Sequence, residues 1–345
     1  MIGPWVKRRK PVLEPSLHPE NFDSRNVYNM ATIKEDGVVS MIYRGESLSE
    51  PAGSMTGRFG LATSTDGIRF SRFPTDVSPR PILEPTEPYE SRGIEDPRLV
   101  KVEDTYVLTY TGYDGQKGQL CLATSKDKIH WKKHGPIFPN FKQGDCPLVP
   151  HSPVGATKSG AILPERLEEG PYAGKYMMIF GDTTMHLAVS ADLVHWEPIE
   201  KPVLEPRWDR FDSLLVESGP PLLRTQEGIL CIYNSAGHDL DPPAGSTPEE
   251  ASKFLFAQRR YAVGMALLDP KDPTRVLART DEPILTVTED WEKNGYVGNV
   301  VFSEGLVKVN GEWLMHYGGA DHVIGVAKAP FDESILPEGS SWRQE

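Results

Sequence analysis

Short segments in which apolar and polar residues alternate fill most of the chain, and one of them recurs five times. Each copy has a central alanine that follows an apolar residue, and the copies lie at 60–64, 122–125, 187–190, 264–267 and 325–328. Alternation with a period of two is typical of β-strands that bury one face. Five copies at intervals of about 60 to 80 residues predict five similar structural units.

A segment bounded by proline accompanies each unit, at 11–15, 81–85, 136–139, 202–206 and 283–285. Its first copy precedes the first alanine strand, so we expect the N-terminal segment to complete the last unit and close a ring without long open edges. Two further strands per unit, rich in aromatic and β-branched residues, bring the number to four. The sequence therefore predicts an all-β fold, a five-bladed β-propeller, with residues 1–345 as a single domain.

One long connection, from Asp239 to Arg260, interrupts the fourth unit. It is rich in Pro, Gly, Ser and Glu and has no strand pattern, which indicates a surface loop. A loop of this length is more often a rim or lid than inert filler. Within it, residues 251–256 have the composition of a short helix.

Composition narrows the possible partners. The chain has 345 residues and a net charge of -12, which argues against nucleic acid because phosphate backbones attract basic proteins. No apolar run is long enough to span a membrane and no signal segment is evident, so we expect no membrane contact and a cytoplasmic location. Cys121, Cys146 and Cys231 are scattered without metal-ligand spacing, and we expect no metal and no cofactor.

Polar residues recur at the start of the first strand and the end of the second strand of each unit. These two positions meet at one end of an antiparallel hairpin, so the residues are expected to surround the mouth of the propeller axis. They are Asn29, Arg44, Glu95, Asp96, Arg98, Asp182, Glu217, Asn234, Glu304 and Asp321. Any one of them is as easily explained by a loop hydrogen bond or a structural ion pair. A ring of carboxylates, however, is costly unless a ligand binds or one stays protonated, and paired acids suit the chemistry of glycosidic bonds.

The segment Gly93-Ile94-Glu95-Asp96-Pro97-Arg98-Leu99 resembles a motif of glycoside hydrolase family 130, the five-bladed mannoside phosphorylases and β-mannosidases. The resemblance continues through 156–161, 216–221, 261–267 and 317–321 and covers all five units. It implies an inverting reaction on a β-mannoside.

The resemblance also implies roles for individual residues. Asp96 matches the general acid of the family, whose proton travels through the 3-hydroxyl of the mannose. Asn29, Arg44, Arg98 and Asp321 match positions that hold the mannose. To this substrate-binding set we add Glu95 and Lys158, which lie in the matching segments, and Asn234, which follows Tyr233.

The family divides by whether water or phosphate attacks the sugar. Glu217 and Asp182 match the acidic pair that activates water in the hydrolases, although Asp182 is shorter than the Glu expected there. Asn234 stands where the phosphorylases carry a His. At the approximate places of their phosphate arginines this chain has Lys117 and either Lys132 or Lys133.

A carboxylate beside the attacking group would repel phosphate, which favours water. The leading hypothesis is thus an inverting, exo-acting β-mannosidase, acting on β-1,2-linked mannosides, with Asp96 as acid and Glu217 and Asp182 as base. One alternative is a β-mannoside phosphorylase, or a related mannosyltransferase that uses mannose 1-phosphate or a nucleotide sugar. Another is a non-catalytic glycan-binding propeller. The expected partner is a β-mannoside oligosaccharide, with phosphate kept open as a second.

Overall fold

The computed structural model describes residues 1–75, 78–143, 152–338, 340 and 342, and β-strands are the main regular structure in them. The first strands are β1 (Val6–Lys7), β2 (Asn26–Glu35), β3 (Val38–Glu46), β4 (Arg58–Ser64), β5 (Ser71–Arg72), β6 (Gly93–Val102), β7 (Thr105–Tyr113), β8 (Gly118–Ser125) and β9 (Trp131–Pro136). The middle of the chain forms β10 (Ala161–Leu163), β11 (Tyr176–Phe180), β12 (Met185–Ser190), β13 (Glu197–Leu204), β14 (Leu215–Ser218), β15 (Leu223–Arg224) and β16 (Ile229–Gly237). The remaining strands are β17 (Arg260–Leu268), β18 (Val276–Arg279), β19 (Leu285–Thr286), β20 (Val301–Val309), β21 (Glu312–Gly319) and β22 (Val323–Pro330).

These strands pair into five antiparallel sheets, which confirms the predicted five-bladed propeller. The blades run β2-β3-β4-β5, β6-β7-β8-β9, β10-β11-β12-β13 and β14-β16-β17-β18, and the fifth runs β20-β21-β22-β1. In the fourth blade β15 also pairs with β16 and β19 with β17. In the fifth, Val6 pairs with Lys328 and Lys7 with Ala327, so the N-terminal segment supplies the outermost strand.

Apolar packing joins each blade to the next. One buried cluster, for example, combines Met177 and Leu187 of the third blade with Val216 and Cys231 of the fourth. Facing sheets bury the apolar side of each strand in this way, which stabilises a ring of sheets. We propose on this basis that the chain forms one domain. Cys121 is buried like Cys231, whereas Cys146 lies outside the described residues.

Four of the five described blades share a buried contact among an acid, a tyrosine and a base. The acid lies in the segment that leads into the innermost strand, the tyrosine lies on the second strand, and the base lies on the outermost strand. The groups are Asp23, Tyr43 and Arg72; Glu90, Tyr110 and Lys133; Asp212, Tyr233 and Arg279; and Glu292, Tyr317 and Lys7. Because each acid is fully buried, these ion pairs link the first and last strand of the blade through the tyrosine.

The third blade replaces this contact with an aromatic cluster. Phe180 takes the place of the tyrosine, and its ring centroid lies 4.3 Å from that of Phe138 and 5.2 Å from that of Phe141. The ring of His186 packs at 5.8 Å on the same phenyl group. Burial lowers the pKa of His186, so this cluster is neutral and apolar where the other four blades carry charge.

The long connection in the fourth blade contains an 11-residue helix, α1 (Pro248–Gln258), which is longer than the segment 251–256 that the sequence suggested. Thr247 caps it, accepting a hydrogen bond from the Glu250 amide, while the Glu250 side chain returns to the Thr247 amide. An ion pair of 2.7 Å between Asp239 and Arg260 holds the two ends of the connection together. The connection joins β16 to β17, at the end of the propeller where the predicted mouth lies.

Other helical elements within the described residues are short and include α2 (Asp290–Lys293) and the 3-10 turns at Pro88–Glu90 and Glu333–Ile335. Among the described residues no helix is long and apolar enough to cross a membrane.

Candidate active site

Irregularities in the innermost strands turn polar side chains toward the axis. The pairing register shifts between Tyr28 and Met30 in β2, between Glu95 and Arg98 in β6, and between Ser303 and Gly305 in β20. A β-bulge leaves one residue outside the ladder and re-aims its side chain. The residues left outside the strand pairing are Asn29 in β2, Asp96 and Pro97 in β6, and Glu304 in β20. Asn29 and Asp96 have φ of 41° and 54°, a conformation that non-glycine residues adopt rarely and that concentrates at functional sites.

Asp96 lies at the centre of the group. The Asn29 amide nitrogen, from the first blade, donates to Asp96 Oδ1 at 2.7 Å, and Arg44 Nη1 lies 3.6 Å from the same oxygen. Burial works against ionisation, but the charges of Arg44, Lys158 and Arg98 outweigh it and lower the pKa of Asp96. Asp96 is therefore a carboxylate in the free protein.

A second contact fixes Arg44. Its Nη2 donates to Glu46 Oε1 at 2.9 Å and to Glu95 Oε1 at 3.2 Å, and its guanidinium lies 4.7 Å from the ring centroid of Tyr28. Glu46 is buried and also accepts from the Tyr28 hydroxyl at 2.7 Å. Glu46 thus anchors Nη2 of Arg44. Nη1 of Arg44 stays available for Asp96 and for a ligand.

Arg98 is buried and joins three blades from within. It donates to the carbonyl oxygens of Asp96 at 2.9 Å, Ser218 at 2.6 Å and Gly219 at 3.2 Å. Its Nη1 also lies 2.9 Å from Glu304 Oε1, yet burial raises the pKa of Glu304 well above its ordinary value. The donors of Arg98, which the sequence assigned to the substrate, are therefore taken up by protein atoms.

Asn234 is likewise committed to the backbone. Its amide nitrogen donates to the Ser303 carbonyl at 2.9 Å, and its carbonyl accepts from the Ser303 amide at 2.7 Å. The side chain is fully buried. Asn234 therefore links the fourth blade to the fifth, and both of its polar groups are satisfied without a ligand.

Lys158, Asp182 and Glu217 form the other side of the site. Lys158 Nζ lies 3.4 Å from Glu95 Oε2. Although burial opposes its charge, Glu95, Asp96, Asp182 and Glu217 together raise the pKa of Lys158, so it is a cation. Glu217 accepts a hydrogen bond from the Ser159 hydroxyl. The site thus brings one lysine against several carboxyl groups from three blades.

These carboxyl groups do not share one protonation state. Burial raises the pKa of Glu217 to about 8, against the charge of Arg98 and with the repulsion of Asp182 and Asp96. Burial also raises the pKa of Asp182, against the charge of Lys158. Near neutral pH, Glu217 is therefore mainly a neutral acid while Asp96 is ionised.

Asp321 joins the site from the turn between β21 and β22. Its φ is 51°, and the field of Arg44 reaches it. Burial raises the pKa of Asp321 to about 7, with Arg44 opposing the rise. Asp321 is thus able to change charge near neutral pH when a ligand replaces water around it.

The lysines considered as phosphate donors do not meet at the axis. Lys133 lies on the outermost strand of the second blade and binds Glu90, with further contacts to Thr86 and the Glu84 carbonyl. It belongs to the acid, tyrosine and base group of that blade. Lys132 lies on the same outer strand, and Lys117 donates to the Val154 carbonyl at 3.0 Å in the turn between β7 and β8. Lys158 lies shortly before β10 in the third blade, and it interacts with the carboxyl groups of the site.

Sequence reasoning missed three residues at this site, namely Glu46, Ser159 and Arg259. Glu46 and Ser159 stand beside predicted residues, yet only the fold shows that they contact Arg44 and Glu217. Arg259 follows α1, stacks on Phe256 and contributes positive charge at Asp321. In the described part of the chain, no group of three or more His, Cys, Asp or Glu residues could hold a metal ion.

The fold and the site together define a β-propeller of the carbohydrate-processing class. A family model described as beta-1,4-mannooligosaccharide phosphorylase, glycoside hydrolase family 130, matches residues 3–336. The chain therefore belongs to glycoside hydrolase family 130, whose members are enzymes that act on mannosides.

Individual relatives agree with this assignment. The 1,2-beta-oligomannan phosphorylase of Thermoanaerobacter sp. (strain X514) is 34% identical over 325 residues, 92% of this chain and 94% of the relative. A glycosyl hydrolase from Bacteroides ovatus has a solved structure with a TM-score of 0.78, 31% identity and coverage of 98% of this chain and 97% of its own. Another solved structure, described with glycoside hydrolases of the family that target beta-1,2 mannosidic linkages in Candida mannan, has a TM-score of 0.78 at 31% identity and covers 98% and 96%.

Proposed function

We propose that the protein is an inverting phosphorylase that removes mannose from the end of β-1,2-linked mannooligosaccharides. The observation that carries this proposal is the burial of Glu217, which raises its pKa to about 8, in a site that also holds the cation Lys158. The phosphorylase from Thermoanaerobacter, with its 1,2-beta-oligomannan substrate, supports it further. The leading hypothesis thus changes from water to phosphate as the attacking group.

The acidic pair repels phosphate and activates water only when it is ionised. Because burial raises the pKa of Glu217 to about 8, its neutral form predominates at pH 7. A neutral carboxyl group does not repel phosphate and can donate a hydrogen bond to it. It also lacks the basic lone pair that would activate water. Lys158 supplies the positive charge that a phosphate oxygen needs.

In the proposed reaction, a phosphate oxygen attacks the anomeric carbon from the face opposite the leaving group. The bond from this carbon to the glycosidic oxygen breaks, its electron pair stays on that oxygen, and the oxygen takes up a proton. Asp96 supplies the proton through the mannose 3-hydroxyl, as the family resemblance implies. Asn29, Arg44 and Asp321 hold the mannose. Inversion of a β-mannoside gives α-mannose 1-phosphate and a shortened oligosaccharide.

Asp96 must gain a proton before it can act as an acid, because its pKa is lowered in the free protein. Mannose provides a reason for the change. Its hydroxyls would compete for the hydrogen bonds that Asn29 and Arg44 give to Asp96, and the sugar would displace water from the carboxylate. Both effects favour the protonated form.

Hydrolysis is the second candidate, favoured by Asn234. It stands where the resemblance implies a phosphate-binding histidine, and its polar groups are bonded to Ser303. The relative described with hydrolases that target beta-1,2 linkages supports the same reading. A cytoplasmic location stays a prediction, and a mannosyl transfer from mannose 1-phosphate would be the reverse of the proposed reaction.

Product analysis separates the candidates. Incubation with β-1,2-mannobiose and inorganic phosphate is expected to give mannose 1-phosphate and mannose in equal amounts, and almost no turnover without phosphate. Release of free mannose alone, at a rate independent of phosphate, would establish hydrolysis instead. Binding of mannobiose without any turnover in either buffer would support the glycan-binding alternative. Chromatography with an authentic mannose 1-phosphate standard is the measurement.

The pH dependence tests the protonation of Glu217. Since Glu217 is neutral below its pKa of about 8, kcat/KM for phosphorolysis should fall as pH rises through 8. Glu217→Gln keeps the shape and a hydrogen-bond donor but cannot ionise. We expect this variant to retain phosphorolysis within about tenfold and to lose the alkaline fall. An unchanged alkaline fall in E217Q would contradict the assignment of this titration to Glu217.

A further inference from the structure

Ser159 makes the one hydrogen bond to the Glu217 carboxyl group that is found among the described residues. It lies directly before β10 in the third blade, whereas Glu217 lies in β14 of the fourth. The Ser159 hydroxyl donates to Glu217 Oε1. Ser159 is 1% exposed and Glu217 6%, so little water competes for this bond.

The backbone of Ser159 is held in an unusual conformation. Its φ is 56°, which costs a non-glycine residue about 1 kcal/mol or more. Both neighbours are clamped: the Gly181 amide donates to the Lys158 carbonyl at 2.9 Å, and the Thr109 hydroxyl donates to the Gly160 carbonyl at 2.6 Å. Such a conformation persists only where the surroundings impose it, and here it directs the hydroxyl at the fourth blade.

The same clamp connects the rest of the site. Lys158, next to Ser159, carries the cation, and Gly181, which binds the Lys158 carbonyl, directly precedes Asp182. Gly160 packs closely against Met178, since a β-carbon at this position would lie 2.5 Å from Met178 Sδ. The peptide from 158 to 160 thus has a fixed position relative to both acids.

A carboxyl group offers two oxygens, and the Ser159 hydroxyl occupies one of them. In the neutral acid the oxygen that accepts this bond is the carbonyl oxygen, so the proton resides on the other one, Oε2. A fixed Oε1 therefore determines where Glu217 presents its proton.

We propose that Ser159 is a positioning residue that holds Oε1 of Glu217 and thereby presents Oε2 to the group that attacks the mannoside. This inference rests on the role proposed above for Glu217. Ser159 touches neither the sugar nor the acceptor and acts through the carboxyl group alone. It connects the third and fourth blades at the point where the reaction occurs.

Ser159→Gly tests this role, since glycine adopts the required φ without strain and removes only the hydroxyl. The control is Ser235→Ala, in β16, which removes another fully buried serine hydroxyl that donates to a carbonyl, that of Ala262, at 3.0 Å. Two quantities are measured in each variant. One is kcat and KM for β-1,2-mannobiose, and the other is the titration of the Glu217 carboxyl carbon by NMR, assigned by its loss in E217Q.

We expect S159G to lower kcat by about 10- to 100-fold with KM within about twofold, because a misdirected group costs rate more than binding. The Glu217 titration should move above its wild-type midpoint, since the lost hydrogen bond favoured the carboxylate. Both quantities should stay unchanged in S235A. In an E217A background, S159G should have no further effect on kcat.

An unshifted Glu217 titration in S159G would overturn the proposal, as would a loss of kcat that persists undiminished in E217A. The titration requires no turnover. If the wild type released free mannose without phosphate, the proposed function would fail, while a shifted titration would still establish that Ser159 positions Glu217.

Discussion

Asp96→Asn is expected to slow the cleavage of β-1,2-mannobiose by about 10³-fold, within the range of 10²- to 10⁴-fold for loss of a general acid. The physical reason is that an amide cannot protonate the departing glycosidic oxygen. Asparagine tolerates the φ of 54° at this position and keeps an oxygen to accept from Asn29, so the fold should be unaffected. Initial-rate kinetics with saturating phosphate measures the loss in kcat.

Binding separates the acid role from a purely structural one. Calorimetry should give D96N an affinity for mannobiose within about fivefold of the wild type, since the lost interaction is made in the transition state. Asp104→Asn, at the exposed turn between β6 and β7, is a control on the same blade and should leave the rate unchanged. Retention of more than a tenth of wild-type kcat in D96N would contradict the assignment.

Asp212→Asn is expected to destabilise the protein by about 3–5 kcal/mol, the usual result of removing one partner from a buried ion pair. Asp212 is fully buried and accepts from the Tyr233 hydroxyl at 2.8 Å and from Arg207 Nη2 at 2.9 Å, and Arg279 binds the same oxygen. Loss of its charge leaves two arginines without a full partner. Such a change is a large part of the 5–15 kcal/mol that stabilises a typical domain.

Thermal unfolding followed by circular dichroism checks this expectation. At roughly 2 °C for each kcal/mol in a chain of this size, Tm should fall by about 6–10 °C. Asp209→Asn removes an exposed carboxylate from the same connection and should change Tm by less than about 1 °C. A Tm for D212N equal to that of D209N would show that the acid, tyrosine and base group contributes nothing to stability.

The propeller could be predicted because its evidence is local. An alternating segment with a central alanine defines a strand by itself, and five copies in order define five blades. The sequence also showed an aromatic residue on the second strand of each blade. It did not show that this residue bonds a buried acid. Its acid partner lies before the innermost strand and its base partner on the outermost strand, as far apart in sequence as Glu292 and Lys7, so no local pattern marks them.

The candidate site was predicted in outline for the same reason. Residues at corresponding ends of repeated hairpins must meet, and Asn29, Arg44 and Asp96 are indeed in contact. The sequence did not show which of the predicted site residues remain available to a ligand. Arg98 and Asn234 have the right residue types, but their hydrogen bonds go to Ser218, Gly219 and Ser303 of neighbouring blades.

The sequence by itself determined the number of blades, the mouth where the polar residues gather and the family to which their motif belongs. Only the tertiary structure decided the charge of each carboxyl group, because a pKa depends on burial and on charges brought together from several blades. Glu217 and Asp96 are both acidic residues and look alike in the sequence. Burial raises the pKa of Glu217 to about 8, however, while Arg44 and Lys158 lower the pKa of Asp96. That difference changed the expected attacking group from water to phosphate, and it arises from the packing of blades that are distant in sequence.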